Sequence, residues 1–206
     1  ISKDPKTPSF IAMELIDGIT LEQFLRENQN NITVQDVMDI IISVADGIDS
    51  AHQKGIIHRD IKPENITVTR PKGVPKIMDF GIAKTDLESA YETREDKALG
   101  TPAFMSPEQI TSKSITPASD IYSFALTIYH ILCQRSPYSA TTVSGFTFAH
   151  VNDSPMSPRK ANPNLPKKLD LVLLPAMSKE ADYRPESAAD LARQTADCLS
   201  SIKDNK

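Results

Sequence analysis

The sequence has no tryptophan, no long apolar run and only two cysteines, Cys133 and Cys198. Two widely separated cysteines give neither a disulfide framework nor the ligand spacing of a zinc site. They are typical of small apolar helix residues in a reducing, cytoplasmic protein. No stretch approaches the ~18–20 apolar residues that cross a bilayer, so we predict no membrane segment in this chain. An anchor elsewhere in a longer parent protein remains open.

A surplus of basic residues is also lacking. The 23 Lys and Arg residues are outnumbered by 27 Asp and Glu residues, which gives a net charge of -4. This balance argues against a nucleic-acid-binding surface, so any phosphate-binding group must be local. The 206 residues, 39% of them hydrophobic, are enough for one globular domain with a core.

Helix-capping patterns and apolar periodicity predict most of the chain to be α-helical. Thr20 and Gln23 form a capping-box pattern for a short helix that ends near Glu27. Thr33 begins a longer helix that Gly55 ends. Its apolar stripe repeats every three or four residues and consists of Val34, Val37, Ile41, Val44, Ile48 and Ala51.

Strand signals are few. Residues 10–15 are predicted to form one short strand, and the turn-forming residues Asp17 and Gly18 prevent it from continuing. Residues 66–69 and 74–78 are predicted to form a hairpin around the turn-forming residues 70–73. The sequence therefore predicts a mainly α (α+β) fold without a parallel sheet.

The second half begins with a polar, aperiodic stretch over residues 82–115, which is typical of a functional or disordered segment. Pro117, behind Thr116, then begins a helix that is apolar almost all round from residue 121 to 132. A helix of this kind is predicted to be buried. Three further helices are predicted near residues 141–152, 167–178 and 186–202.

Four short motifs follow one another in a fixed order. They are H-R-D-I-K-P-E-N at 58–65, D-F-G at 79–81, G-T-P at 100–102 and S-P-E at 106–108. Any one of these residues alone would be read as an ordinary loop residue. Together, the four motifs resemble those of eukaryotic-type serine/threonine protein kinases. The residues around them resemble those of the bacterial branch of that family.

The resemblance implies phosphoryl transfer from ATP, assisted by Mg²⁺, to serine or threonine hydroxyls of protein substrates. Asp60 would orient the hydroxyl and accept its proton. Lys62 would lie over the transferred phosphate, and Asn65 and Asp79 would supply oxygen ligands to Mg²⁺. Lys62 and Thr101 are the family's mark of serine/threonine specificity.

The same resemblance assigns the adenine site. Met13 would be the gatekeeper, the Glu14 carbonyl and Ile16 amide would pair with adenine, and Thr67 would lie beneath it. Without the downstream motifs, this segment would be read as a buried edge strand.

Several further residues would be structural or regulatory. His58 would pack beneath Phe80 and not act as a base or metal ligand. Asp120 would hold the catalytic loop, and Glu108 would pair with Arg184.

Control by activation-segment phosphorylation is a further implication of the resemblance, because Arg59 precedes Asp60 and can hold a phosphate. Thr93 is the first candidate acceptor, crowded by acidic neighbours, and Ser89 is the second. An unmodified loop threonine is the alternative.

The resemblance covers a protein-kinase-like C-lobe with a short β-hairpin and no N-lobe. Residues 1–19 would be the last N-lobe strand and hinge, and 20–206 the C-lobe, with an activation segment at 79–108. No G-x-G-x-x-G loop or V-A-I-K lysine occurs, and the chain begins with Ile1, not Met. We therefore expect a piece of a longer kinase, nearly inactive alone, whose N-lobe docks near the hinge. An inert half-kinase scaffold is the alternative, and an unrelated helical domain would require the motif series to be accidental.

Overall fold

The computed structural model describes residues 14–29, 31–80 and 102–202. It is helix-rich, with one small sheet. The strands are β1 (Gly18–Thr20), β2 (Ile66–Thr69) and β3 (Pro75–Ile77). The helices are α1 (Leu21–Glu27), α2 (Val34–His52), α3 (Pro107–Ile110), α4 (Pro117–Cys133), α5 (Val143–Asn152), α6 (Pro158–Ala161), α7 (Lys168–Ala176) and α8 (Ala188–Leu199). Single 3₁₀ turns cover Pro63–Asn65, Pro102–Phe104 and Ala181–Tyr183.

The three strands form an antiparallel sheet in the order β1-β2-β3. The predicted hairpin is confirmed, with Ile66 opposite Ile77. Strand β1 was not predicted, because its first residue reads as a break. Gly18 fits there because a Cβ atom would lie 2.5 Å from the Val68 carbonyl oxygen. Glu14 and Leu15 of the predicted strand 10–15 are in no regular element, and its other residues lie outside the described ranges.

The predicted capping box at Thr20 is confirmed, and Thr33, predicted to begin the longer helix, also forms a capping box. The Thr20 side chain accepts a hydrogen bond from the Gln23 amide, and the Gln23 side chain accepts one from the Thr20 amide. Thr33 and Asp36 exchange the same two bonds at the start of α2. Gly55 follows α2 with a φ of 72°, a conformation that favours glycine. The predicted apolar stripe of α2 is largely buried and packs along α8. Asp49 of α2 also accepts hydrogen bonds from the first two amides of α8, at 3.0 and 2.9 Å.

Helix α4 is the centre of the core. It begins at Pro117, as predicted, and nearly all its residues between Ser119 and Ile131 are buried. No helix of the described ranges is long and apolar enough to cross a bilayer. Helices α5, α7 and α8 confirm the three predicted tail helices, each a few residues shorter than expected. Helices α3 and α6, of four residues each, were not predicted.

Candidate active site

The loop 58–65 is held in place by the first turn of α4. Asp120, 1% exposed, accepts hydrogen bonds from the backbone amides of His58 and Arg59, each at 2.8 Å. The His52 Nε2 atom, at the end of α2, lies 2.8 Å from the same carboxylate. A carboxylate is favourable at this position because it faces the positive end of the helix dipole. The conformation of the loop is therefore tied to the buried helix.

Asp60 is the centre of a small polar cluster. Its Oδ2 atom accepts a hydrogen bond from Asn65 Nδ2 at 2.9 Å and lies 3.2 Å from Lys62 Nζ. The Asn65 amide also donates to the Asp60 carbonyl at 2.8 Å. These three predicted residues are thus brought together, with the carboxylate beside a positive charge. Such an arrangement can orient a hydroxyl and stabilise negative charge that develops next to it.

The hairpin brings Asp79 to the same site. The Met78 amide donates to the Asn65 carbonyl at 2.8 Å, so Asp79 follows directly beyond the end of the paired strands. Asp79 is exposed and has a φ of 53°, which is uncommon for a residue other than glycine. Such outliers cluster at functional sites, where the surroundings maintain them.

Asn65 and Asp79 suit a hard cation. Because Asn65 donates through Nδ2 to Asp60, its amide oxygen faces away from that bond. An amide oxygen and a carboxylate are ligands that Mg²⁺ accepts, with water and phosphate oxygens completing its coordination. The described ranges contain no group of three His, Cys, Asp or Glu side chains that could hold a metal.

His58 is buried and engaged at both ring nitrogens. Its Nδ1 accepts from the Asp60 amide at 3.2 Å, and its Nε2 donates to the Met78 carbonyl at 2.8 Å. Its ring centroid lies 4.7 Å from that of Phe80. These contacts link the 58–65 loop to the end of the hairpin, which fits a structural residue better than a base.

The residues assigned to the adenine site lie beside the sheet. The Arg70 amide donates to the Asp17 carbonyl at 2.9 Å, which fastens the segment 14–17 to the hairpin. The Glu14 side chain pairs with Lys76 at 2.8 Å. Thr67 lies opposite Thr20 in the sheet and is half-buried, as is Ile16. Met13 lies outside the described residues.

Glu108 and Arg184 form a two-pronged buried ion pair. Arg184 Nη1 and Nη2 lie 2.7 and 2.9 Å from the two Glu108 carboxylate oxygens. Burial alone would raise the pKa of Glu108, but hydrogen bonds from Arg184 and Ser119, together with the Arg184 charge, hold that pKa below its usual value. The pair fastens α3 to the segment before α8.

The residues proposed for regulation are only partly described. Arg59 has a φ of 68°, and its buried Nε atom has no hydrogen-bond partner within residues 14–29, 31–80 and 102–202. Thr93 and Thr101 lie outside those ranges.

Two residues near the site were missed in the sequence. Gln109 in α3 donates through Nε2 to the Arg59 carbonyl at 2.7 Å. The pattern Ser106-x-x-Gln109 is a capping box and could have predicted α3, though not this long-range contact. His52 was given no role in the sequence analysis, and its contact with Asp120 has no local signal, since the two residues are 68 positions apart.

Comparison of the sequence with models of protein families decides the family, because the family model described as "Protein kinase domain" matches residues 2–198. The chain belongs to the protein kinase family. Its relatives include a probable serine/threonine-protein kinase of Clostridium acetobutylicum, 34% identical over 197 residues, and serine/threonine-protein kinase PknB of Mycobacterium tuberculosis strain H37Rv, 32% identical over 183 residues. The matches cover 96% and 88% of this chain but only 29% of each relative.

A solved structure shows the same fold. The kinase domain of M. tuberculosis PknI aligns with a TM-score of 0.69 at 25% sequence identity, over 90% of this chain and 64% of that one. The predicted resemblance to bacterial serine/threonine kinases is therefore confirmed. That the chain lacks an N-lobe stays a prediction.

Proposed function

We propose that this kinase chain provides the catalytic loop of an ATP-dependent protein kinase that phosphorylates serine and threonine. The observation that carries the proposal is the Asp60 carboxylate, which Asn65 and Lys62 hold on a loop that the Met78 amide joins to the segment carrying Asp79. A phosphoryl-transfer site needs little covalent chemistry from the protein, and mainly needs positioned groups and charge neutralisation.

Each residue then has one task. Asp60 orients the acceptor hydroxyl and takes its proton, and Lys62 lies close enough to share the charge of the transferred phosphate. Asn65 and Asp79 would hold Mg²⁺, which supplies neutralisation of phosphate charge when bound. Glu14, Ile16 and Thr67, with Met13, would form the adenine side of the nucleotide site.

A cavity next to the loop supports a polypeptide substrate. It measures about 240 Å³, about the space for one side chain, and has Glu64, Phe104 and His130 among its lining residues. It opens beside the loop that carries Asp60, so a substrate chain lying there would bring its hydroxyl near that carboxylate.

We also propose that residues 20–206 act as a C-lobe and that an N-lobe completes the nucleotide site. The sequence has no G-x-G-x-x-G loop and no V-A-I-K lysine, groups that kinases use to hold ATP. Exposed apolar side chains near the sheet, Leu15 at 96% and Val74 at 47%, suit the docking of such a lobe. The 206 residues alone are then expected to transfer little phosphate.

Regulation would act through Arg59. Its position before Asp60 suits it to receive a phosphate on Thr93 or, second, Ser89, and the resulting charge pair would order the activation segment. Thr101 would belong to the same segment.

The test is transfer of labelled phosphate from Mg-ATP, with the complete protein encoded by the gene and with myelin basic protein as acceptor. Asp60→Asn removes the base, so we expect transfer to fall roughly 10²- to 10⁴-fold. Asp46→Asn, a matched change on the exposed face of α2, is expected to leave transfer unchanged. If the folded complete protein transfers no phosphate, the enzyme proposal is wrong and an inert scaffold is the better account.

A further inference from the structure

Arg59 is held on both sides by buried side chains from distant elements. Its backbone amide donates to Asp120 Oδ1 at 2.8 Å, and its carbonyl accepts from Gln109 Nε2 at 2.7 Å. Asp120 belongs to the first turn of α4 and Gln109 to α3. Both peptide groups of this one residue are therefore fixed by side chains that are 1% and 9% exposed.

The backbone of Arg59 needs such support. Its φ of 68° lies in the left-handed region, which costs a residue with a Cβ atom about 1–2 kcal/mol. Conformations of this kind persist only where their surroundings determine them. The carbonyl that Gln109 holds belongs to the peptide bond leading into Asp60. Rotation of that peptide would turn the Asp60 carboxylate away from Asn65 and Lys62.

Gln109 is itself oriented by its capping box. Its Oε1 atom accepts from the Ser106 amide at 2.9 Å and from the Ser106 hydroxyl at 3.1 Å. Because two donors fix the amide oxygen, the amide nitrogen is left facing the Arg59 carbonyl. The next residue back, Glu108, is fastened to Arg184. The position of α3 is thus transmitted to the peptide before Asp60.

We propose that Gln109 is a positioning residue that sets the catalytic orientation of Asp60 through the Arg59 carbonyl. The inference rests on the proposed kinase function of Asp60 and adds a residue that orients the Asp60 carboxylate for that function. Withdrawal of α3 from the loop removes the hydrogen bond to the carbonyl of the Arg59–Asp60 peptide, whose amide keeps its longer bond of 3.2 Å to His58 Nδ1. This amide couples α3, which lies at the end of the activation segment, to the catalytic loop.

Gln109→Glu tests the proposal most directly. It keeps an oxygen for the Ser106 donors but replaces the amide donor with a carboxylate oxygen that repels the Arg59 carbonyl. With the complete protein, Mg-ATP and myelin basic protein, we expect kcat to fall about tenfold or more, equivalent to roughly 1.4 kcal/mol. The KM values for ATP and for the acceptor should stay within about twofold, since Gln109 contacts neither the adenine-site residues nor the cavity beside Glu64.

Gln23→Glu is the matched control, because Gln23 holds the same capping position in α1 and is exposed. It should leave kcat unchanged. If Gln109→Glu does not fold by circular dichroism and thermal melting, Gln109→Met, which removes the donor without adding charge, is judged by the same kcat criterion.

The outcomes separate this inference from the function on which it rests. Absence of Asp60-dependent transfer in the unmodified protein would refute the kinase proposal itself. An active protein in which the folded Gln109 variant keeps its kcat within twofold would overturn the positioning role and leave the kinase proposal standing. A variant with lower thermal stability but unchanged kcat would do the same, since it would make Gln109 purely structural.

Discussion

The buried ion pair between Glu108 and Arg184 can be broken from either side, and the structure gives the expected cost. Arg184 is 6% exposed and donates to both oxygens of Glu108. It also donates to the carbonyls of Ser178, Ala118 and Lys179, at 3.0, 2.8 and 3.2 Å. One side chain therefore joins α3, the start of α4 and the segment before α8.

Removing one partner leaves the other charge buried without compensation. Arg184→Met should therefore lower the free energy of unfolding by about 3–5 kcal/mol. A domain of this size changes its melting temperature by roughly 2–4 °C per kcal/mol, so a fall of about 6–20 °C is expected. Glu108→Gln should cost less, because its amide keeps an acceptor oxygen for Arg184.

A double-mutant cycle measured by urea denaturation tests the reasoning. The double variant of Glu108→Gln and Arg184→Met should be less destabilised than the sum of the single changes, because neither charge then stays buried alone. Arg193→Met, on the exposed face of α8, is the control and should change stability by less than about 0.5 kcal/mol. A cost below about 1 kcal/mol for Arg184→Met, or strictly additive changes, would refute the account.

Two further predictions concern His150 and Gly18, which belong to the scaffold and not to the candidate site. Burial, and then the charge of Lys179, lower the pKa of His150 to about 3. The unfolded chain therefore binds the extra proton first as pH falls below about 6.5, and stability should drop by roughly 2 kcal/mol between pH 7 and 5. His150→Gln should lack this part of the pH dependence in urea titrations, and an equal pH dependence in both proteins would contradict it. Gly18→Ala should lower the melting temperature by several degrees, since its Cβ would meet the Val68 carbonyl oxygen at 2.5 Å and a Thr67 methyl at 2.6 Å. An unchanged melting temperature would show that β1 can move aside.

Local sequence patterns were sufficient where the signal was local. The capping box at Thr20 and the cap residue Thr33 correctly predicted where α1 and α2 begin, because a cap involves residues only three apart. Strand β1 was missed because three residues carry no periodicity, and its pairing with β2 joins positions nearly fifty residues apart. Helix α3 was missed although its capping box was visible, because the surrounding stretch is polar and aperiodic.

The residues of the candidate site likewise fall into those that a local motif reveals and those that it does not. The residues of 58–65 and Asp79 could be named because they stand in contiguous motifs. Their partners Asp120 and Arg184 could be named only by resemblance. The contact of Gln109 with Arg59 spans fifty residues and joins a side chain to a backbone carbonyl, so no local pattern encodes it.

The first turn of α4 explains how a helix that is otherwise core can organise a site. Asp120 in this turn accepts from the loop that carries Asp60, while the Ala118 carbonyl accepts from Arg184. One turn later, the Tyr122 hydroxyl lies 2.9 Å from Tyr138. Because the rest of α4 is enclosed by apolar packing, this turn cannot shift without disturbing the core. The buried helix therefore fixes these polar contacts, and through them it fixes the backbone of the loop that precedes β2.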